Sequence, residues 1–179
     1  QQITSASTLS TGSITTLNIG LKSGAAFAMT GYISDFRCVI GTAVYTSNFV
    51  PQFTAPLSAV TNTKLLTLQT RGSSNNSMFN DNSGFNNLIT RAGDSTNGTF
   101  SPYGANFSNC YNGSSYHTFA TNAVYAIGTA DFTIEMWACP TAINNDQYFF
   151  DSGPTVNTFY LEYYLGNLYF AYSASISLY

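Results

Sequence analysis

The sequence predicts an all-β protein, built as an antiparallel β-sandwich, and both its patterning and its composition favour that class. Several segments alternate apolar and polar residues with a period of two, which turns one face of a strand towards a core. The chain is rich in Ser, Thr, Asn and Gly, residue types that favour strands and turns over helix interiors. No segment shows the apolar stripe of an amphipathic helix.

The N-terminal part carries the first predicted strands. Residues 14–19 combine β-branched and apolar side chains in a short run that Gly20 ends. Residues 64–69 form another short strand. Between them, apolar and polar residues alternate over residues 31–40, which predicts a strand with one face less exposed to solvent than the other. The two faces predicted for that strand are Tyr32, Ser34, Phe36 and Cys38 on one side, and Ile33, Asp35, Arg37 and Val39 on the other.

Strand patterns return after a different middle region. Residues 70–117 are dense in turn-forming Asn, Ser and Gly, which is typical of a connecting region. Residues 131–138 alternate cleanly again, and residues 159–172 form the best hairpin in the sequence, with a two-residue turn predicted at 166–167. The side chains predicted to pack inward from the first of these segments are Phe132, Ile134 and Met136.

Charged residues are scarce, and this limits what the protein is expected to bind or catalyse. Asp, Glu, Lys and Arg make up 7% of the chain, against roughly 25% in an average soluble domain. The net charge of −3 and the wide spacing of the basic residues argue against nucleic acid as a partner. Catalysis needs several titratable groups together, so the composition favours a binding or structural module over an enzyme. The basic residues are Lys22, Arg37, Lys64, Arg71 and Arg91.

Neither a membrane nor a cofactor is expected. The mean hydropathy is +0.01, and no apolar run approaches the ~18–20 residues of a membrane helix. Cys38, Cys110 and Cys139 form no close pair and no metal-ligand spacing, so we expect free, buried thiols, with at most one disulfide as the alternative. The chain begins with Gln1 and Gln2 and shows no signal segment, so we expect a processed product or a piece of a longer protein.

Two segments resemble one protein family. Residues 30–37, with the sequence Thr-Gly-Tyr-Ile-Ser-Asp-Phe-Arg, are followed by residues 41–49 and 56–66; together they are similar to the closing part of a laminin-G/concanavalin A-like domain. The version that they resemble occurs in virion and tail-associated proteins of bacteriophages. Residues 126–137, which include Asp-Phe-Thr-Ile-Glu-Met-Trp, resemble the opening part of the same kind of domain. The resemblance implies a jelly-roll sandwich of the lectin and glucanase type.

The order of these motifs is reversed relative to the family, because the closing motif comes first here. We expect residues 1–69 to be the closing part of one domain, residues 70–117 a connecting region, and residues 118–179 the opening part of a second domain or of the same domain permuted. A window across two tandem domains, a circular permutation and two half-domains completed by other chains all fit this order. Residues 81–84 and 100–103 are similar to the linker between consecutive copies.

The side chains that suggest catalysis also have structural explanations. His117 lies in a turn-rich stretch without a Ser or Asp partner at motif spacing, so no catalytic role is expected. Asp131 and Glu135 suggest a glucanase-like carboxylate pair, but no second acid shares the face of Glu135 within its strand. Trp137 shares that face, and we expect it to pack between the sheets rather than to serve as a sugar platform.

Other polar motifs are also expected to be structural. Asp35 and Arg37 lie two residues apart on one predicted strand face, close enough to interact or to pair with loops. Residues 81–84 contain the Asp and Asn oxygens that calcium prefers, but an Asx-turn is the simpler account. We therefore assign no catalytic, cofactor-binding or metal-binding residue, and the ligand-binding residues stay unknown. The Asn-x-Ser/Thr sites at Asn75, Asn97, Asn106 and Asn112 follow from the Asn- and Ser-rich composition.

The resemblance implies a non-catalytic structural or receptor-binding component of a phage virion, such as a lectin-like tail-fibre protein on the particle surface. Its expected partners are other virion subunits, identical copies of itself and a host-surface glycan. Tyr, Asn, Ser and Thr suit this work because aromatic faces stack on sugar rings and neutral polar groups match sugar hydroxyls. The alternatives are a polysaccharide-degrading jelly-roll enzyme and a purely structural module of a filament or capsid decoration.

The terminal segments lead to a further expectation. Residues 14–19 and 173–179 have the composition of strands, and they contain no charges or prolines that would protect an unpaired strand edge. Unprotected strands of this kind pair with other chains. We therefore expect neighbouring domains or identical subunits to cover them, with closed symmetry in the second case.

Overall fold

The computed structural model is almost purely β-stranded, which confirms the predicted fold class. Among the described residues its helical content is one 3-10 turn, Ala123–Tyr125, and no helix there is long and apolar enough to cross a membrane. The described residues are 16–24, 27–69, 80–98, 100, 102–103, 108–143, 145–153, 159–172 and 176–178.

The strands form two antiparallel sheets. The larger sheet has seven strands in the order β12-β11-β10-β9-β1-β7-β4, and the smaller has five. In the smaller sheet, β2 pairs with β8 along one edge and with β6 and then β3 along the other, while β5 pairs with β6. The strands are β1 (Leu17–Ile19), β2 (Thr30–Ile40), β3 (Thr63–Thr67), β4 (Ile89–Ala92), β5 (Thr96–Gly98), β6 (Ser108–Asn112), β7 (Tyr116–Phe119), β8 (Phe132–Pro140), β9 (Gln147–Asp151), β10 (Phe159–Tyr164), β11 (Asn167–Tyr172) and β12 (Ile176–Leu178).

The core lies between the two sheets and is rich in aromatic rings. Phe36 of β2 contacts Phe150 of β9 with ring centroids 5.9 Å apart, and Phe132 of β8 contacts Phe159 of β10 at the same distance. Burying one such ring contributes roughly 1.5–3 kcal/mol, so these contacts hold the sheets together. The predicted inward packing of β8 is confirmed for Phe132, Ile134 and Met136.

The alternation of β2 is interrupted at Asp35. Ile33 faces the core before this point, and Phe36 faces the core after it. The pairing with β8 shifts register here, and Asp35 itself has a φ of 60°. An extra residue in one strand moves every later side chain to the other face. The single alternation predicted along this strand is therefore wrong. Of the two predicted faces, the one with Ile33 is buried before Asp35 and the one with Phe36 and Cys38 is buried after it.

β1 lies in the middle of the larger sheet, between β7 and β9. Leu17 pairs with Phe119 on one side, and Asn18 pairs with Asp151 on the other. The expectation of an open strand is therefore wrong for β1, because both of its edges are hydrogen-bonded. β12 pairs with β11 and forms one edge of the sheet. The rest of the two terminal segments, residues 14–15, 173–175 and 179, lies outside the described residues.

β2 and β8 are neighbours, which brings the two family-like segments into one sheet. They pair from Gly31 with Pro140 to Ile40 with Phe132. The region predicted to connect them contributes strands to both sheets: β4 and the start of β7 lie in the larger sheet, and β5 and β6 lie in the smaller one.

A long loop, residues 41–62, lies over the outer face of the smaller sheet, and we call it the covering loop. Val39 and Leu66 lie on that outer face and are buried, although neither belongs to the core between the sheets. The backbone N–H of Val44 donates to Thr133 Oγ1 at 3.0 Å, which fastens the loop to β8. Because of this cover, β2 is buried on both faces.

The C-terminal hairpin is present, with its turn one residue earlier than predicted. β10 and β11 pair as far as Tyr164 and Asn167, so Leu165 and Gly166 form the turn. Both turn residues have positive φ, 48° for Leu165 and 83° for Gly166. A two-residue turn of type I′ requires this geometry, which glycine adopts freely and a residue with a Cβ adopts at a cost.

All three cysteines are free thiols. Cys38 is buried, and burial raises the pKa of its thiol to about 12. Cys110 and Cys139 are only partly buried, so the prediction of buried thiols is wrong for these two. They lie opposite Tyr32 on the strands at either side of β2. Two strand spacings separate them by roughly 9–10 Å, which is beyond the reach of a disulfide.

Candidate functional site

Tyrosine side chains line the outer face of the larger sheet, on the side away from the core. Strand alternation places Tyr160, Glu162 and Tyr164 of β10 on this face, while the residues between them pack against the core. The neighbouring strands add Tyr148 of β9 and Tyr169 of β11, which pair with Glu162 from either side. We call these five side chains the tyrosine face.

The rings of the tyrosine face contact one another. Tyr148 and Tyr160 meet edge to face with centroids 5.3 Å apart, and the centroids of Tyr164 and Tyr169 lie 6.5 Å apart. The exposed ring of Phe27 extends the row, with its centroid 6.4 Å from that of Tyr148. Aromatic pairs at these separations stabilise each other's orientation. The face is therefore held in place before any ligand arrives.

Lys22 places a positive charge on the tyrosine face. Its Nζ lies 4.6 Å from the ring centre of Tyr160 and 5.0 Å from that of Tyr148, within the range of a cation–π interaction. The same Nζ lies 3.5 Å from the hydroxyl oxygen of Tyr148. A loop residue from the start of the chain thus joins two strands from its end.

Hydrogen bonds to residues of the larger sheet fix the position of the loop that carries Lys22. The backbone N–H of Ser23 donates to Asp151 Oδ2 at 2.8 Å, and the Ser23 hydroxyl accepts a hydrogen bond from Asn18 Nδ2 at 2.8 Å. Asp151 is buried, and burial raises the pKa of its carboxyl. This acid therefore positions the loop and is closed to a ligand.

Glu162 is the acidic member of the tyrosine face. Partial burial and the negative charge of Asp146 raise the pKa of its carboxyl. Burial and the charge of Glu162 in turn raise the pKa of the Tyr148 and Tyr160 hydroxyls. The two phenols therefore stay protonated at neutral pH. Tyr160 is partly exposed and can offer its hydroxyl and its ring to a ligand, whereas Tyr148 is buried.

A pocket of about 490 Å³ opens beside the tyrosine face. Tyr164 belongs to both, and the neighbouring ring of Phe27 also lines the pocket. Amide and carboxylate groups come from Asn145, Asp146 and Gln147. Gln147 is held in place, since its Oε1 accepts a hydrogen bond at 2.8 Å from a backbone N–H of β2. A volume of this size accommodates a small ligand.

The combined surface suits a ligand that is apolar on its ring faces and polar at its rim. Flat rings offer stacking, phenols offer O–H donors, and the side chains of Asn145 and Asp146 offer acceptors. Sugars have this character, because their C–H groups form apolar faces while their hydroxyls form the rim.

His117, for which the sequence predicts no catalytic role, lies in the protein interior. It is fully buried, with Nε2 at 3.1 Å from Ser95 Oγ and Nδ1 at 2.7 Å from Tyr111 Oη. Burial and the charge of Arg91 lower the pKa of His117 to about 3. Ser95 lies 22 residues away in sequence, so no motif spacing reveals it. Since substrate has no access to this network, its role is structural.

Glu135 and Trp137 lie on the outer face of the smaller sheet and hold the covering loop. Glu135 forms an ion pair with Arg37, whose Nε donates to Oε1 at 2.6 Å, and accepts a hydrogen bond from Tyr45 Oη at 2.7 Å. Trp137 Nε1 donates to the carbonyl oxygen of Gln52 at 3.2 Å. The prediction that Trp137 packs between the sheets is wrong, because its side chain lies on the opposite face of β8 from the core.

Asp35 also holds the covering loop. Its buried carboxylate accepts hydrogen bonds from the backbone N–H of Leu57 at 2.7 Å, from Tyr103 Oη at 2.8 Å and from the Gln69 amide. Burial and this hydrogen bond raise the pKa of Tyr103. The expected pairing of Asp35 with loops is confirmed.

Asp81 forms the predicted Asx-turn. Its Oδ1 accepts from the backbone N–H groups of Ser83 at 2.9 Å and Leu66 at 3.1 Å, and its Oδ2 accepts from that of Asn87 at 2.9 Å. The carboxylate is thus engaged by donors of its own chain. Among the described residues, no group of three or more His, Cys, Asp or Glu is placed to hold a metal ion.

The remaining sequence candidates do not contribute to the tyrosine face. Asp131 is exposed directly before β8, while Asn97 and Asn112 lie in β5 and β6 of the smaller sheet. Asn75 and Asn106 lie outside the described residues.

The sequence analysis does not predict the tyrosine face, although the alternation within the C-terminal hairpin indicates part of it. Residues 160, 162 and 164 alternate with apolar positions and belong to a correctly predicted strand. Lys22 and Tyr148 join them from positions 126 residues apart, which no local pattern reveals.

A comparison with protein-family models, with curated proteins and with solved structures finds no match to this chain.

Proposed function

We propose that the protein is a structural and receptor-binding component on the surface of a bacteriophage virion, and that its tyrosine face contacts a host-surface glycan without catalysis. The resemblance of residues 30–37 and 126–137 to phage laminin-G/concanavalin A-like domains supports the virion part of this proposal. The all-β sandwich is the fold class that the resemblance implies. The observation that carries the glycan part is the tyrosine face with its adjoining pocket.

Sugar rings fit this surface for physical reasons. Tyr164 is 38% exposed and borders the pocket, so a ring stacked on it reaches the amide and carboxylate groups beside it. Aromatic stacking contributes roughly 0.5–1.5 kcal/mol beyond the buried area.

The absence of catalysis is supported by the positions of the candidate catalytic groups. His117 is buried, and Glu135 is engaged by Arg37 and Tyr45. A polysaccharide-degrading enzyme is the second candidate, because Glu162 has a raised pKa beside Asp146, as an acid catalyst requires. An assay for new reducing ends on host polysaccharide separates the two functions: sugar release that disappears in Glu162→Gln supports the enzyme.

Assembly with other virion subunits, including identical copies, belongs to the same proposal. The covering loop exposes Phe49, Val50 and Phe53, and Val50 is 80% exposed. Apolar side chains that lie together on a surface favour contact with another protein. The edge strands β12 and β5 offer further pairing sites at the two sheets.

The glycan contact is tested by calorimetric titration of the full chain with a panel of neutral host-surface oligosaccharides. Removing one stacking ring in Tyr160→Ala or Tyr164→Ala is expected to weaken binding about tenfold. Phe100→Ala is the matched control, since Phe100 is an exposed ring packed against Tyr32 of the smaller sheet. Equal affinity in all variants, or no binding by the wild-type chain, overturns the glycan part of the proposal.

A further inference from the structure

We propose that a second pocket, beside β4, binds a sugar that carries a carboxylate, such as a uronic acid unit of an acidic polysaccharide. The pocket has a volume of about 480 Å³ and is formed by β4 and the loop before it. β4 and β10 are separated by β9, β1 and β7 in the larger sheet, so this pocket is distinct from the tyrosine face. We call it the asparagine pocket, and its polar lining residues are Asn80, Asp81, Asn82, Asn86, Asn87 and Arg91.

Arg91 supplies the positive charge of the asparagine pocket. Its Nη1 donates to the carbonyl oxygen of Ser95 at 3.1 Å, which fixes one side of the guanidinium group. A guanidinium carries further N–H donors in a planar fork that matches the two oxygens of a carboxylate. Among the residues that the structure describes, the ion pair is the one between Arg37 and Glu135. Within this part of the chain, Arg91 therefore has no carboxylate partner.

Asp81 lines the same pocket, and donors of its own chain occupy its carboxylate oxygens. In addition to the backbone donors of Leu66, Ser83 and Asn87, its Oδ2 accepts from the Ser83 hydroxyl at 2.8 Å and from the Asn87 amide at 2.6 Å. These oxygens are therefore occupied and are not available as acceptors for a ligand. The charged group of the pocket that has further hydrogen-bond donors to offer is the Arg91 guanidinium, which matches a carboxylate.

The rest of the pocket suits the neutral part of a sugar. The exposed amides of Asn80 and Asn86 offer donors and acceptors for hydroxyl groups. Leu88 also lines the pocket and is 70% exposed, which provides an apolar surface for ring C–H groups. A guanidinium, free amides and an apolar platform within one pocket match a sugar ring that bears one carboxylate.

The test is a calorimetric titration of the full chain with a short oligomer of galacturonic acid and with the matching neutral oligomer of galactose. At low ionic strength the acidic oligomer is expected to bind at least about tenfold more tightly, and added salt is expected to reduce the difference. Arg91→Gln is expected to remove this preference. Lys64→Gln is the matched control, because it also deletes one positive charge. Lys64 lies near the pocket, since its backbone carbonyl accepts a hydrogen bond from the Asn87 side chain.

The outcomes separate this proposal from the one for the tyrosine face. Unchanged binding of the acidic oligomer in Tyr164→Ala supports an independent site, whereas its loss in that variant overturns the asparagine pocket as the site. Equal affinity for both oligomers, no binding of the acidic oligomer, or equal losses in Arg91→Gln and Lys64→Gln also overturn it. Thermal unfolding of each variant verifies that the substitutions leave the fold intact.

Discussion

His117 is neutral in the folded protein because it is buried between Ser95 and Tyr111 and lies near the charge of Arg91. Its pKa is about 3 in the folded state and 6.5 for an unperturbed histidine. At a pH between these values the unfolded chain binds a proton that the folded chain does not bind. The free energy of unfolding therefore falls as the pH decreases through this range.

A His117→Gln variant isolates this effect. Between pH 7 and pH 4 we expect the wild-type chain to lose about 3 kcal/mol more of its free energy of unfolding than the variant loses. Urea unfolding at a series of pH values measures the difference. Parallel pH dependences in the two proteins would show that His117 does not stay neutral when folded.

Single residues also show where sequence reasoning ends. The alternation of β8 correctly predicts that Trp137 and Glu135 share a face and that Met136 faces the core. It does not reveal that the covering loop lies on the outer face, because the partners of these residues come from the distant Gln52 and Tyr45. Local periodicity determines which face a side chain takes, while the neighbour on that face depends on the whole fold.

At the scale of elements, strands with strong alternation are predictable and their defects are not. β8, β10 and β11 lie where the pattern places them. The irregularity at Asp35 is not detectable from local sequence. Asp35 has a positive φ, and the partners of its carboxylate, Leu57, Tyr103 and Gln69, lie 22 to 68 residues later in sequence. The tyrosine face is also only partly predictable. The alternation within β10 places three of its side chains on one face, whereas Lys22 joins them from a loop that lies 126 residues before Tyr148.

The turn between β10 and β11 contains a residue that is poorly suited to its backbone. Leu165 has a φ of 48° and is exposed, so its side chain gains little from packing in return. Leu165→Asn creates the Asn-Gly pair that type I′ turns favour, and we expect it to stabilise the protein by about 1 kcal/mol. This corresponds to a rise of about 2–4 °C in the unfolding temperature.

Leu168→Asn is the control for this substitution. Leu168 is a similarly exposed leucine two residues beyond the turn, within β11. Asn disfavours strands, so the control is expected to lower the unfolding temperature or leave it unchanged. A similar rise in both variants would attribute the gain to the loss of exposed apolar surface rather than to the turn.

At the scale of the whole molecule, exposed apolar side chains and open sheet edges predict self-association. We expect light scattering to show trimers, larger oligomers or filaments of the 179-residue chain at concentrations on the order of tens of micromolar. Val50→Lys combined with Phe53→Lys places charge on the covering loop and is expected to lower the average mass. A stable wild-type monomer at these concentrations would contradict the proposed assembly.

The central position of β1 has a consequence for how the chain folds. Leu17 pairs with Phe119, and Ile19 pairs with Phe150, so both neighbours of this strand lie about a hundred residues or more later in sequence. During synthesis β1 therefore has no partner strand until most of the chain has left the ribosome. Loop closure over such separations is entropically costly, and topologies of this kind fold in milliseconds to seconds rather than microseconds. The larger sheet is therefore expected to be completed late, and until then its unpaired apolar strands are the part of the chain most open to aggregation.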